Sequence, residues 1–461
     1  MSISSARRWW ALAAIAASVL VVGLDLTVLS LALPALSVQL HASTTDLQWF
    51  SAAYSLVLAA ALLPAGMLGD RLGRKKMLLI ALAMFGVSSL ACAFATSAGQ
   101  LIAARAILGL SAAVILPMSI AVIPVLFTEE ERPRAIAIVM GATFLGFPVG
   151  PLLGGWLLDK FWWGSVFLIN VPVAVLALIA VATLMPESHG ARGRRMDLPG
   201  IALSSLGLAG LTYGCIKAGE DGWGSPAALA TVVAGAGLLA LFVVWERHAT
   251  DRGQPLIQLD LFRSAGFTWG TILTTFVSFA MFGVLFAMPQ YFQEVLGQDS
   301  FGSGLRLLPL IGGMVAGMLG GTRLQTARRA PDGTPSGDPP LGPRPLVAAG
   351  FMIMAAALAV GATTHLASGT GFAAAWFAAA GLGLGLAMPA AMNAALGALS
   401  ADRSGSGSAL ITAMRQVGAT IGVAVLGTVL LSAYRDRLSL GGLPPAAAQA
   451  GRSSVAGGVG V

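Results

Sequence analysis

Residues 9–34 read WWALAAIAASVLVVGLDLTVLSLALP. About 25 consecutive residues are apolar or small, and an α-helix rising 1.5 Å per residue crosses a hydrocarbon core about 30 Å thick at that length. One carboxylate, Asp25, lies well inside the run. An ionised side chain at membrane depth costs about 3 kcal/mol or more on insertion scales, so such residues face a bundle interior or a wet cavity. No other acidic residue falls in the interior of an apolar span of this chain. The sequence therefore predicts a scaffold built around one titratable group.

The rest of the chain has the same character. Its 461 residues are 56% hydrophobic and 10% charged, with a mean hydropathy of +0.82. Soluble domains carry about 25% charged residues, which excludes a water-soluble globule. Apolar segments of spanning length recur at 9–33, 47–66, 77–97, 100–126, 135–158, 165–185, 198–217, 227–246, 267–289, 303–321, 345–364, 371–392 and 407–433. Two arginines precede the first run, but that run is too long for a signal peptide and no A-x-A site precedes a soluble domain.

The formal charge of +7 sits in alternate connections rather than on a binding face, so nucleic acid is not an expected partner. Arg7 and Arg8, the run Arg71 to Lys76, Arg192 to Arg195 and Arg323 to Arg344 all fall on one side if the N-terminus is inside. The positive-inside rule then places the N-terminus of this multi-pass chain in the cytoplasm, and the Ala/Gly/Arg-rich composition points to a bacterial inner membrane. Basic segments at 187–197 and 246–264 divide the chain into a six-span bundle (1–197), an inserted two-span linker (198–246) and a second bundle (247–461). The Pro/Gly-rich basic stretch 322–345 reads as a flexible loop. Beyond residue 433 the tail is rich in small residues and lacks a further apolar run of spanning length, so a fourteenth span is expected to be missing.

Four stretches carry chemistry. GMLGDRLGRKK (66–76) joins spans two and three, with glycines for a tight turn and Asp70 placed to cap a helix or pair with Arg71 or Arg74. LDLTVLSLALP (24–34) surrounds Asp25 with Thr27 and Ser30, and this carboxylate is either structural or a proton carrier. Burial favours the neutral form of a carboxyl and a nearby cation favours the charged form, so a movable cation tunes proton affinity. RAILG in span four supplies such a cation, Arg105, which either meets a carboxylate or snorkels to the interface. GFPVGPLLGG (146–155) in span five has two prolines that remove backbone donors and glycines that admit a close neighbour.

Together these stretches resemble the signatures of the major facilitator superfamily, and within it the 14-spanner drug/proton antiporters. Weaker echoes run along the whole chain: FLINVP (167–172), DLPG (197–200), GEDGWGS (219–225), PQYFQEVLG (289–297) and GSGSALITAMRQVGATIGVAVLG (405–427). The family usually has Asn where this chain has Ser30. The resemblance implies an all-α integral membrane fold, two six-helix-type bundles plus an inserted helix pair, working by alternating access. It implies proton coupling at Asp25 and Arg105. Conformational gating falls to Gly66, Asp70, Arg71, Gly73, Arg74, Pro148, Gly150, Pro151, Gly154 and Gly155. The Pro/Gly motif is typical of the antiporter branch and so points to multidrug or antibiotic efflux driven by the proton motive force.

Thr27, Ser30, Met281, Phe286, Met288, Trp376, Arg415 and Gln416 are candidate cavity residues, although the Met and aromatic side chains equally suit core packing or lipid. Span ten lacks an acidic residue, so the expected cargo is a neutral, zwitterionic or singly charged lipophilic compound. Glu246 and Glu294 stand at span ends, where an exposed position at the interface is expected. His41, His189, His248 and His365 do not pair with Cys92 or Cys215 at metal-ligand spacing, and no phosphate-binding loop occurs. No metal, no cofactor and no enzymatic constellation is therefore expected, and the expected partners are a small lipophilic substrate, protons and membrane lipids around a monomer. The alternatives are a lipid or cell-envelope precursor transporter of the same fold, or a truncated membrane protein without transport.

Overall fold

A computed structural model describes residues 5–189, 197–251, 256–325, 328–329, 335–336, 342–365, 368–397, 399 and 404–437. Among the described residues thirteen long helices follow one another: α1 (Ser5–Gln39), α2 (Thr44–Leu72), α3 (Arg74–Ala93), α4 (Ala98–Ala121), α5 (Arg132–Lys160), α6 (Asn170–Leu184), α7 (Leu198–Asp221), α8 (Pro226–Asp251), α9 (Ala265–Gln290), α10 (Ser300–Gln325), α11 (Pro343–Gly361), α12 (Thr370–Leu396) and α13 (Ser404–Arg437). Among the described residues, 12 helical segments are long and apolar enough to cross a membrane; α5, with 29 residues, is the remaining long helix. A two-residue antiparallel bridge, Arg328–Arg329 with Pro335–Ser336, lies in the loop after α10. Residues 438–461, where the sequence shows no fourteenth apolar run, lie outside the described residues.

Polar residues mark the helix starts. At α2 the Ser43 hydroxyl accepts from Asp46 N–H while the Asp46 carboxylate accepts from Ser43 N–H at 2.9 Å, a reciprocal cap. Ser97, Asp197 and Ser264 cap α4, α7 and α9 one way only, their side chains accepting from the backbone N–H of Gln100, Gly200 and Phe267. The joint between α2 and α3 is one residue, Gly73, at φ +107°. Only glycine adopts that backbone without strain. Gly73 has no side chain to cap α3, and Glu187 replaces it: its carboxylate accepts from Lys75 N–H at 3.0 Å and Lys76 N–H at 3.1 Å.

In the first half α1 packs on α5 and α6, α2 on α4, and α3 on α4 and α6, around one continuous apolar core. In the second half α12 packs against α9, α10 and α11, and α9 against α13. Helices α7 and α8 pair with each other, and α7 lies on α2 and α13. The halves meet through α2–α13, α5–α10 and α1–α9. Lipid tails are as apolar as Leu, so association rests on close packing and interhelical hydrogen bonds. The α5–α10 contact shows the packing: a Cβ added at Gly155 would lie 2.8 Å from the Ser300 carbonyl oxygen.

The inter-half hydrogen bonds cluster toward the end away from Gly73. Gln48 donates to the Ala424 carbonyl at 3.0 Å, Thr420 Oγ1 to Ser55 Oγ at 2.8 Å, and Gln293 to the Leu31 carbonyl at 3.0 Å. A cavity lies toward the Gly73 end, where Gly66, Asp70 and Arg74 line it. The Glu187 cap tests the local reading of the α2–α3 joint. Glu187→Ala is expected to lower unfolding stability by about 1 kcal/mol, the usual cost of losing a helix-capping acceptor, as read by thermal unfolding of purified protein.

Candidate functional site

Asp25 occupies the middle of α1 and is 3% exposed. Its partner is Arg105 of α4, 2% exposed, whose Nη1 donates to Asp25 Oδ2 in a buried ion pair. Arg105 Nε donates to the Phe50 carbonyl at 3.0 Å, and the guanidinium lies over the Tyr54 ring at 4.5 Å and the Phe167 ring at 5.8 Å. Asn170 of α6 donates to Asp25 Oδ1 at 3.3 Å and to Ser89 Oγ at 3.4 Å. One cluster thus joins α1, α2, α3, α4 and α6. Of the two positions open to Arg105 from sequence, the structure takes the paired one: it is buried, not snorkelling. A bidentate-capable planar cation with an aromatic face on one side suits guanidinium and not ammonium.

Thr27, expected beside the carboxylate, instead donates to the Leu24 carbonyl of its own helix at 3.1 Å. Asn170 is the residue sequence reasoning missed, and its signal was the isolated polar side chain inside FLINVP. Tyr54 carries a buried hydroxyl with no hydrogen-bond partner among the described residues, held where its ring meets Arg105.

Two voids lie between the halves. The larger, about 490 Å³, is walled by α1, α2, α4, α9 and α13 and by the connector containing Leu256 and Ile257. The smaller, about 20 Å³, lies against Arg105, with Ser30, Ser55, Phe286 and Val423 on its walls. About one water fits such a volume. Leu26 and Phe282 line both, so two apolar side chains separate the large cavity from the space that reaches Arg105.

The cavity candidates divide accordingly. Arg415 and Gln416 line the large cavity, and Ser30 and Phe286 the small one. Met281, Met288 and Trp376 line neither. They pack in the core of the second half, with Trp376 stacked on Phe377 at 4.1 Å between ring centroids. Helical periodicity alone does not separate an inward face from a core face in a chain apolar on every side.

The gating residues hold the sequence's expected positions in part. Asp70 pairs with Arg74 at 2.8 Å, and Arg74 also donates to the Ala121 carbonyl at 2.8 Å, tying the α2–α3 turn to α4. Arg71 is exposed, while Gly66, Asp70 and Arg74 line the mouth of the large cavity. In α5, Gly154 faces Val28 of α1 and Gly150 faces Thr27. Gly155 faces Ser300 and Phe301 of α10, and Pro151 is buried. Pro148 lies within α5, and its side chain is outside the described residues.

One expectation is overturned. Glu246 is not exposed at an interface but fully buried in α8. The connector after α8 folds over it, and Ile257 N–H donates to its carboxylate at 3.0 Å. Asp197, the cap of α7, lies next to it and accepts from Trp245 Nε1 at 2.8 Å. Glu294 is half-buried in the π-helical turn after α9. Cys92 and Cys215 are free and buried. Among the described residues no group of three His, Cys, Asp or Glu could hold a metal ion.

Helices long enough to cross a bilayer, packed as two halves with a cavity between them, form the architecture of a membrane transporter. Residues 15–423 match the profile of the Major Facilitator Superfamily, and the chain belongs to that family. It is similar to the Tetracenomycin C resistance and export protein of Streptomyces glaucescens, 34% identical over 432 residues, covering 93% of this chain and 77% of that one. The Multidrug efflux pump LfrA of Mycolicibacterium smegmatis is 34% identical over 459 residues, covering 98% of this chain and 86% of the relative. The fold also resembles a bacterial homologue of the human lysosomal transporter Spinster, solved inward-facing and unoccupied. The TM-score is 0.62 at 16% identity, over 94% of this chain and 85% of that one.

The ion pair generates a stability prediction. Arg105→Met leaves a buried carboxylate without its cation, a loss that costs about 3–5 kcal/mol where both partners are desolvated. The variant is expected to unfold at clearly lower temperature in detergent. The double variant Asp25→Asn/Arg105→Met is expected to recover part of that loss, because no orphan charge then remains.

Proposed function

We propose that the chain exports lipophilic drugs or antibiotics across a bacterial inner membrane, drawing on the proton motive force, with Asp25 as the proton carrier. The observation that carries this reading is the Asp25–Arg105 pair, buried in one half yet bordering the small void between the halves. The names of the relatives support the cargo class. The distribution of Lys and Arg supports a cytoplasmic N-terminus, which turns the large cavity toward the cytoplasm.

A proton binding Asp25 removes the charge that holds Arg105. The guanidinium keeps the Phe50 carbonyl and the Tyr54 ring but loses its strongest tie to α1. Helix α1 is the element that packs on α5, α6 and α9, so a change at Asp25 is felt at the inter-half contact α1–α9. Residues 1–197 and 247–461 then rock as two bundles, with 198–246 riding as an inserted pair on α2 and α13. Pro151, Gly150, Gly154 and Gly155 let α5 slide against α1 and α10, and the Asp70–Arg74 pair fastens the cytoplasmic turn. A proton moving inward across 100 mV releases about 2.3 kcal/mol to reset the carrier.

Inverted membrane vesicles test this directly. An acid-inside gradient is expected to drive uptake of a lipophilic antibiotic by the wild type. Asp25→Asn, whose amide oxygen still accepts from Arg105, is expected to lose more than about tenfold of that rate, a difference above 1.4 kcal/mol in the coupled step, while binding the compound normally. Equal gradient-driven uptake by the variant would make Asp25 structural.

A further inference from the structure

The walls of the large cavity are mostly apolar, with side chains such as Val22, Leu62, Met118 and Phe282. Its charged residues are Asp70, Arg74 and Arg415. Asp70 and Arg74 neutralise each other at the mouth. Arg415, about 16 Å along α13 from its start, is different. Among the described residues no carboxylate pairs with it, and its Nε is buried without a hydrogen-bond partner. Beside it, Gln416 Oε1 is buried without a partner, and so is Ser278 Oγ on the facing helix α9. All three residues line the cavity.

A guanidinium stays protonated at any physiological pH. Buried cations are ordinarily paired, because an uncompensated charge among apolar side chains is costly. Here the one charge on the cavity wall left uncompensated among the described residues is positive, and an open acceptor and an open hydroxyl line the same cavity. We infer that the cavity is built for an amphipathic anion: an aromatic or aliphatic body against the apolar walls, a carboxylate, sulfonate or acidic phenol on Arg415, and a hydroxyl or amide donor toward Gln416. The inference narrows the proposed lipophilic cargo to its anionic members and rests on the reading of this cavity as the substrate site.

Two fluorescent probes that share a naphthylamine body isolate the charge: 1-anilinonaphthalene-8-sulfonate and its uncharged counterpart N-phenyl-1-naphthylamine. Binding is measured on the full chain in lipid nanodiscs, with empty nanodiscs subtracted. Arg415→Gln is expected to weaken the sulfonate by about tenfold or more, the value of a charge-assisted contact in a cavity, and to leave the neutral probe within about twofold. Thr412→Glu places a carboxylate one turn from Arg415 on the same wall and is expected to do the same with Arg415 intact. A thermal unfolding transition like the wild type's certifies the fold of each variant independently of either probe, and Thr412→Glu decides if Arg415→Gln does not fold.

The inference is overturned if either folded variant weakens both probes alike or neither. It is also overturned if the sulfonate binds no more to the wild type than to empty nanodiscs. These readouts need no gradient. Arg415-dependent binding without any proton-driven transport would overturn the export reading and leave the anion site standing, whereas Asp25-dependent transport with Arg415-independent binding would do the reverse.

Discussion

The structure depends on one buried ion pair. Asp25 and Arg105 lie on different helices, both almost wholly removed from solvent, and each is further held by groups from α2 and α6. In a bundle without a hydrophobic driving force between helices, such a pair is among the few interactions strong enough to fix α1 against α4. It is also the interaction most exposed to chemistry, because a single proton removes half of it. Stability and responsiveness are therefore vested in the same two side chains. That is the physical basis for reading a structural ion pair as a coupling device.

Around this pair the fold separates what must close from what must open. Hydrogen bonds between the halves gather at one end, where Gln48, Ser55 and Gln293 find partners on or beside the opposite bundle. At the other end Gly73 makes a one-residue turn, Glu187 caps the helix that follows, and the Asp70–Arg74 pair borders the cavity. Phe282 and Leu26 stand between the large cavity and the water-sized void at Arg105. The two voids thus share two apolar side chains, an arrangement in which filling one affects the walls of the other. The inserted helices contribute differently: Glu246 and Asp197 bind the ends of α7 and α8 to the connector that lines the cavity.

Much of this was legible in the sequence, because the bilayer imposes strong rules. Apolar runs of spanning length, a lone carboxylate among them and an arginine three spans later could be read without coordinates, and the structure brings Asp25 and Arg105 together. Arg415 and Gln416, which the sequence left between a cavity and a structural position, line the larger void. What escaped depends on rotation about helix axes. In helices apolar on all sides no amphipathic stripe says which face turns inward, so Met281, Met288 and Trp376 pack in the core while Phe282, the same kind of candidate, lines the cavity. Asn170 and Glu246 were visible as polar residues, but their partners lie far away in sequence. Only packing reveals that Asn170 meets Asp25 and that the loop after α8 folds back over Glu246.

The central proposal is that Asp25 is the proton carrier, with Arg105 as its buried counter-ion. Infrared difference spectroscopy of the full chain in lipid, stepped from alkaline to acidic pH, reads it directly through the carbonyl stretch of a newly protonated carboxyl. The account predicts a band present in the wild type and absent in Asp25→Asn. A band of unchanged intensity and midpoint in Asp25→Asn would contradict it and move proton binding to another carboxyl.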